Sequence, residues 1–220
     1  LKDCQELLEN DAYPSSEAYH WYATMRYIKG ERLAAYPILQ KAIDIELGQE
    51  KPNENLVNYL VKKGHFDRVN RSYRSALSNY NQGLSVYQEL GLEDDNLLSL
   101  IYNNLGIVYR RLDEYKKAED KVLQSLEIKK RIFPANHPAI AASLMALANV
   151  QSRMGELPAT ISSNEKARAI YVQNPEANKV NLILVSFNLA LNYAKNKQQD
   201  KAEWMADNAL KLAESHYPPQ

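Results

Sequence analysis

Apolar and small residues recur along this chain in a fixed order. Each repeat of the pattern has a leucine followed directly by a small residue. The small residues are Gly106, Ala148 and Ala190, which lie 42 residues apart. A period of this length predicts a repeated structural unit. The pattern occurs in three segments: 102–109 (YNNLGIVY), 144–151 (LMALANVQ) and 186–193 (SFNLALNY).

Two further ladders of small residues run through the stretches that follow these segments. Small side chains let two antiparallel helices approach to the short end of the 8–10 Å range of interaxial distances. Members of the two ladders are seven residues apart, which places them two turns apart on one helix face. The ladders therefore predict close-packed helix pairs. The first is Ala35, Ala76, Ala118, Thr160 and Ala202, and the second is Ala42, Gly83, Ser125, Ala167 and Ala209.

Turn-forming residues set the predicted boundaries. Pro138 and Pro175 suit the start of a helix, where a missing N–H costs nothing. Asp113, Gly155 and Asn196–Lys197 fall where the first helix of a pair should end. We therefore predict an all-α chain of about eleven helices in one domain, residues 1–220. Its parts are a leading cap helix at 1–14 and helix pairs at 15–52, 53–94, 95–136, 137–175 and 176–217.

Two positions disturb the regular pattern. The second pair lacks a clean leucine–small signature, so Gly64 could mark a turn 34 residues after Gly30. The alternative, which we favour, is a longer helix that continues to Val69. Pro37 falls inside the second helix of the first pair, where it should kink that helix or delay its start.

The pattern resembles the tetratricopeptide repeat family, most clearly at Leu105–Gly106–Tyr109, Tyr115–Ala118 and Leu126. The long spacing and residues 126–138 (LEIKKRIFPANHP) are similar to the repeats of kinesin light chains and of bacterial peptide-sensing regulators. The resemblance implies a right-handed superhelical solenoid of antiparallel helix pairs. In this family the first helices line a concave face that binds peptides or partner helices.

The implied function is a non-catalytic protein- or peptide-binding scaffold. The alternative is a regulatory sensor module of a larger bacterial signalling protein, such as a kinase, a cyclase or a transcription regulator. A start at Leu1 instead of methionine fits an excised or processed piece of a longer chain. An attached catalytic or DNA-binding domain would favour the sensor.

The resemblance implies a peptide-binding side on the first helices, opposite their packing stripe. Asparagine amides can form hydrogen bonds with a peptide backbone, and arginine can bind a carboxylate. A ligand with acidic side chains or a free carboxyl terminus would therefore suit asparagine and basic residues on this side of the helices. Cations near the ends of helices are also explained by the helix dipole alone. The candidate residues are Asn103, Asn104, Arg111, Asn149, Arg153, Asn188 and Lys195.

Charge and hydropathy limit the partners and locations that the sequence allows. The chain has 27 basic and 27 acidic residues, which argues against a nucleic-acid partner. No apolar run approaches the roughly 20 residues that a membrane span needs. The sequence favours a cytoplasmic location and leaves an extracytoplasmic sensor domain open.

The sequence gives no sign of catalysis. Its four histidines have no partner at metal-ligand spacing, and there is no glycine-rich phosphate loop, so no cofactor is expected. Cys4 is the only cysteine. An aromatic cluster in the first pair serves either as an interface or as a cap on the end of the solenoid, where exposed apolar surface also allows self-association. The cluster contains Tyr19, His20, Trp21, Tyr22, Tyr27 and Tyr36.

Overall fold

The computed structural model describes residues 15–216, and this part of the chain contains ten α-helices and no strand. The all-α prediction is confirmed. The predicted leading helix falls on residues 1–14, outside the described residues.

The helices group into two compact units, Leu1–Asp94 and Asp95–Gln220. In the first unit α1 pairs with α2 and α3 with α4, and α2 packs on α3. Its helices are α1 (Ser16–Ile28), α2 (Arg32–Leu47), α3 (Glu54–Val69) and α4 (Tyr73–Glu89).

The second unit contains three helix pairs, α5 with α6, α7 with α8, and α9 with α10. Its pairs are joined by packing of α6 on α7 and of α8 on α9. Its helices are α5 (Asp95–Arg111), α6 (Tyr115–Ile132), α7 (Pro138–Met154), α8 (Leu157–Tyr171), α9 (Lys179–Lys195) and α10 (Gln199–His216).

Both ladders of small residues are buried in the helix pairs, as close packing requires. Ala35, Ala42 and Ala118 are fully buried, and Thr160 is only 1% exposed. At Gly106 an added Cβ would lie 2.5 Å from a methyl carbon of Val122, so the two helices of this pair leave no room for a side chain.

Each first helix ends in the same left-handed turn. A residue with positive φ follows one or two positions after each first helix, so the turn repeats with the period of the helices; these residues are Gly30, Arg71, Asp113, Gly155 and Lys197. In every case the next residue donates its N–H to a carbonyl five positions back, as in Gln198 to Tyr193 at 2.9 Å. This is the bond of the Schellman motif, and it reverses the chain into the second helix.

These turns predict opposite effects of glycine at two equivalent positions. Lys197→Gly should stabilise the chain by about 1 kcal/mol, because a side chain with positive φ is strained and glycine is not. Gly155→Ala should cost about the same. An added Cβ at Gly155 meets no atom within 4 Å, so its effect reports conformation alone. Urea denaturation checks both, and equal stability of all three proteins would contradict the expectation.

The second pair follows the longer-helix alternative. Helix α3 continues to Val69, and Gly64 lies within it. A Cβ on Gly64 would lie 2.8 Å from the ring of Tyr80 in α4. Gly64 is therefore the small residue of this pair, 42 positions before Gly106. The pattern was obscured because Lys63 stands where the other pairs have leucine or tyrosine.

Pro37 does not delay the second helix of its pair, since α2 begins at Arg32 and runs through the proline. Of the two expected effects, the delayed start is wrong and the kink stays a prediction. Proline leaves the carbonyl four residues earlier, that of Leu33, without its helical partner. Leu33 and Pro37 are both exposed, so solvent can satisfy that carbonyl.

Asp67 is a buried carboxylate that links the two helices of the second pair. It is 3% exposed and accepts hydrogen bonds from Ser75 at 2.7 Å and from Asn79 at 2.6 Å, both in α4. Burial raises the pKa of Asp67, and the two hydrogen bonds oppose that rise. The folded state therefore favours the protonated carboxyl, and stability from this group is lost as the pH rises through its folded pKa.

The substitution Asp67→Asn should remove this pH-dependent loss of stability. Ser75 and Asn79 both donate to Oδ2 of Asp67, so the carbonyl oxygen of the amide can accept both bonds without a buried charge. Relative to the parent, the variant should gain stability as the pH rises from the ordinary pKa of an aspartate carboxyl through the raised pKa of Asp67. Denaturation midpoints at several pH values test this, with Glu89→Gln, an exposed carboxylate of α4, as control. A difference that does not change with pH would refute it.

Candidate protein-binding surface

The first helices of the second unit expose equivalent faces because they share one register. Each buries its leucine–small pair against neighbouring helices, as Leu189 and Ala190 do in α9. At 100° per residue, positions 5 and 2 before that leucine lie on the opposite side of the helix. In α9 these positions are Leu184 and Phe187. The exposed faces of α5, α7 and α9 together are called the first-helix face below.

On α9 this face is apolar. Spacings of four, three and four residues put four large side chains on one line along the helix, about 16 Å long. All four are substantially exposed, although apolar side chains of this size are usually buried in a soluble protein. These residues, called the α9 stripe, are Val180 (46% exposed), Leu184 (50%), Phe187 (56%) and Leu191 (47%).

The equivalent positions of α5 and α7 are less apolar. Leu100 of α5 is 48% exposed, and Ile107 on the same face is half-buried. Helix α7 places the smaller Ala142 and the half-buried Met145 there. The apolar surface of the first-helix face is therefore largest on α9, since Asn103 of α5 and Asn149 of α7 stand at positions equivalent to Phe187 and Leu191.

Three cations stand at the carboxyl ends of these helices. Arg111, Arg153 and Lys195 occupy the last turns of α5, α7 and α9, and all three are exposed. They are called the basic row. Within residues 15–216, no carboxylate lies within ion-pair distance of Arg111 or Lys195.

Arg153 differs because the neighbouring pair already holds it. Its guanidinium lies 3.7 Å from a carboxylate oxygen of Asp113 and 5.8 Å from the ring centre of Tyr115. The hydrogen bond to Tyr115, followed by the nearby charges, raises the pKa of Arg153. These contacts bring the end of α7 to the α5–α6 turn, beside an open cleft of about 590 Å³ that Lys117 also lines.

The four candidate asparagines are placed differently from one another. Asn149 is exposed, and Asn103 and Asn188 are half-buried. Asn104 is 6% exposed and donates its amide to the carbonyl of Leu100 at 3.0 Å, so it is not available to a ligand. A step of one residue turns a helix by 100°, and Asn103 and Asn104 therefore cannot share a face.

Sequence comparison identifies the repeat. A family model of the tetratricopeptide repeat matches residues 55–131 and 99–159. Residues 55–159 therefore carry tetratricopeptide repeats. Their fold is the helical solenoid type that the resemblance implied, and such repeats form protein-interaction scaffolds.

Solved structures share this fold across nearly the whole chain. The crystal structure of BtubC (BKLC) from P. vanneervenii has a TM-score of 0.85 at 19% identity, covering 100% of this chain and 89% of that one. A putative kinesin light chain from Podosopora anserina has a TM-score of 0.76 at 16% identity, covering 92% and 97%. The apo form of RapI has a TM-score of 0.69 at 15% identity, covering 96% and 88%. A search of curated proteins found no significant match.

The aromatic cluster of the first helix pair, α1 and α2, is mostly part of the packing. Tyr27 stacks on Phe66 of α3 with ring centres 3.8 Å apart, and His20 stacks on Tyr59 at 4.6 Å. Tyr22 is buried. Trp21 is the exception, at 66% exposed.

Over residues 15–216, no group of three or more His, Cys, Asp or Glu side chains could hold a metal ion. No helix in that part of the chain is both long and apolar enough to cross a membrane.

Proposed function

We propose that this chain is a non-catalytic scaffold that binds a protein segment on the first-helix face of residues 95–216. The partner places apolar side chains on the α9 stripe and acidic side chains, or a free carboxyl terminus, at the basic row. The α9 stripe is the observation that carries the proposal.

The stripe supports binding because it is a continuous exposed apolar surface on a rigid helix. Leu189 and Ala190 hold the opposite side of α9 in a buried cluster with Tyr193 and Met205, so the stripe is presented without a large loss of entropy on binding. Its four side chains follow one line about 16 Å long, which suits an amphipathic helix or an extended segment with regularly spaced apolar residues.

The basic row supports an acidic contact at one end of that segment. Arg111 and Lys195 carry charges that no carboxylate of residues 15–216 pairs with. Arg153 is held by Tyr115 and Asp113, which fixes the direction of its guanidinium. A partner carboxylate would compete with Asp113 for Arg153, so we expect Arg111 and Lys195 to contribute more to partner affinity than Arg153.

Substitutions on the stripe test the proposal. A pull-down from a lysate of the source cell should capture a partner with the parent chain. Phe187→Ser should weaken the binding of that partner by about tenfold to thirtyfold, the loss expected for an aromatic anchor. Binding of the purified partner by calorimetry measures the change, and circular dichroism confirms that the variant folds.

The matched control is Leu210→Ser in α10. Leu210 is 58% exposed and lies in the second helix of the same pair, off the first-helix face. Its substitution should leave affinity unchanged. Equal loss in both variants, or no loss in Phe187→Ser, would remove the stripe from the binding site.

A charge-reversed pair tests the acidic contact separately. Arg111→Glu with Lys195→Glu should weaken binding and reduce its dependence on salt concentration, because exposed charges act through screened electrostatics. Unchanged salt dependence would leave these cations with the helix-dipole role alone.

The regulatory alternative uses the same surface. A sensor module of a longer signalling protein would also bind a peptide or partner there, and binding would then act on an output domain. The sequence that flanks this stretch in its gene distinguishes the two.

A further inference from the structure

Helices α1 and α3 meet through two stacked ring pairs, with a histidine at each. His20 stacks on Tyr59 with ring centres 4.6 Å apart, and Tyr27 stacks on Phe66 at 3.8 Å. In both helices the stacks are seven residues apart, which is two helical turns. His65 lies at the edge of the second stack, with its ring centre 6.2 Å from that of Tyr27. The contact between the first two helix pairs therefore contains two imidazoles.

The hydrogen bonds of this contact fit neutral imidazoles. The guanidinium of Arg68 lies 3.1 Å from Nδ1 of His65. Arginine only donates, so this nitrogen accepts the bond and carries no proton. Nδ1 of His20 is buried and has no hydrogen-bond partner within residues 15–216. Protonation would therefore break the bond between Arg68 and His65 and leave a charged ring of His20 without compensation.

Cations lie close to both rings. Lys62 lies on α3 between Tyr59 and His65, three residues from each. Burial and then the charge of Lys62 lower the pKa of His20. Burial, then Arg68 and then Lys62 lower the pKa of His65. Within residues 15–216, no carboxylate forms an ion pair with either histidine, with Lys62 or with Arg68.

The other charged and titratable groups of the facing helices do not offset a charge on these rings. Arg32 of α2 adds a further cation, over the tyrosine ring of the second stack. The buried Glu46 of α2 accepts hydrogen bonds from serine and asparagine side chains, and Asp67 accepts its two bonds from α4. Glu17 of α1 is exposed. Burial raises the pKa of Tyr80 in α4 to about 12, so this hydroxyl stays neutral.

We propose that the α1–α3 contact is an acid-sensitive joint: protonation of His20 and His65 releases α1 and α2 from α3, while the helices of residues 95–216 stay folded. Opening exposes the aromatic rings of both stacks to solvent. The joint lies in the first unit and is separate from the first-helix face, so it goes beyond the proposed partner binding.

The pH dependence of the joint has one direction. Each histidine has a lower pKa in the folded chain than its ordinary value of 6.5, so the unfolded chain binds its proton more readily. Stability from the joint is therefore complete above that value and is lost as the pH falls from 6.5 through the lowered pKa values. Asp67 acts in the opposite direction, since its pKa is raised. Its hydrogen bonds, however, join α3 to α4 and not α1 to α3.

Trp21 reports on the joint, because its ring centre lies 5.9 Å from that of His20. In a Trp204→Phe background, urea midpoints followed by Trp21 are measured from about one pH unit above the ordinary pKa of histidine to about two units below it. The Trp21 midpoint should fall with pH. The midpoint from Trp204, in a Trp21→Phe background, should fall by less.

Two substitutions remove the titrating groups and keep the contacts. His20→Phe retains a ring on Tyr59, and His65→Asn retains an acceptor for Arg68. The double variant should lose most of the fall with pH. If it does not fold by circular dichroism, His65→Asn alone gives the comparison, with a partial loss of the fall expected.

The matched control is His137→Asn. His137 is the N-cap of α7 in the second unit, and asparagine is also a good N-cap. This substitution removes a histidine without touching the joint, so it should leave the Trp21 profile unchanged.

Hydrogen exchange in the native chain separates release of the first pair from a general loss of stability. At the acidic end of the range, after correction for the intrinsic pH dependence of exchange, the amides of α1 and α2 should exchange about tenfold faster relative to those of α5–α10 than at the neutral end. A Trp21 midpoint that does not change with pH, or an equal fall in the parent and the double variant, would overturn the proposal. Equal acceleration in all ten helices of residues 15–216 would also overturn it, because the chain would then unfold as a whole.

Discussion

Replacing Gly106 with alanine is expected to destabilise the α5–α6 pair by about 2–3 kcal/mol, a large effect for one methyl group. The new Cβ would lie 2.5 Å from a methyl carbon of Val122 and 3.2 Å from the carbonyl oxygen of Ala118. Val122 is only 1% exposed, so its side chain has little room to move, and the backbone at Ala118 cannot yield without separating the helices. The higher helix propensity of alanine, worth about 1 kcal/mol, offsets only part of this cost.

A double-mutant cycle identifies the clash as the cause. Val122→Ala is destabilising alone, but combined with Gly106→Ala it should recover part of the loss, because it removes the atom that the new Cβ meets. Urea unfolding followed by Trp204 fluorescence in a Trp21→Phe background gives the four stabilities. Additive losses would exclude the contact with Val122 as the cause, and a Gly106→Ala variant as stable as the parent would show that the helices can separate without penalty.

Phe66→Ala is expected to cost about 3–5 kcal/mol, the largest loss predicted for this chain. Phe66 is 1% exposed and joins three helices of the first unit. Its ring stacks on Tyr27 of α1 at 3.8 Å and lies 6.1 Å from the ring of Tyr36 of α2. Truncation removes both aromatic contacts and leaves a cavity lined by two tyrosines that cannot readily collapse.

The loss of stability caused by Phe66→Ala should be confined mainly to the first unit. The stability of a repeat array is a sum of local and nearest-neighbour contributions. Trp21 reports on the first unit and Trp204 on the second, so two single-tryptophan backgrounds follow them separately. The midpoint from Trp21 should fall by more than the midpoint from Trp204. Equal shifts of the two midpoints would mean that the units unfold as one.

Much of the fold could be predicted from spacing alone. Small residues in register mark where two helices touch, because no large side chain fits there. The ends of the first helices at Asp113, Gly155 and Asn196–Lys197 were predicted, and α5, α7 and α9 end within two residues of them. Gly64 was ambiguous because glycine serves both in turns and in close helix contacts, and only the position of Tyr80 distinguishes these roles.

The candidate surface was less predictable. Sequence spacing placed the basic row in the last turns of the helices, where the structure has it. Sequence spacing did not distinguish Asn103 from Asn104, although the rotation of 100° between consecutive residues of a helix places only one of the two side chains on the solvent-facing side. The α9 stripe was missed because an apolar residue in a repeat is expected to be buried. The spacing of Val180, Leu184, Phe187 and Leu191, opposite the leucine–small pair, is the signal that could have revealed it.

Site-specific photo-cross-linking tests the central claim most directly. A photoreactive phenylalanine analogue is placed at Phe187 on the α9 stripe and, in a second protein, at Leu210 on α10, and both are irradiated in the source cell. The account predicts that the probe at position 187 forms a covalent adduct with one defined partner, that the probe at 210 does not, and that an excess of a peptide from that partner suppresses the adduct. Adducts of the same partner from both positions, or from neither while the parent still captures it, would contradict binding on the first-helix face.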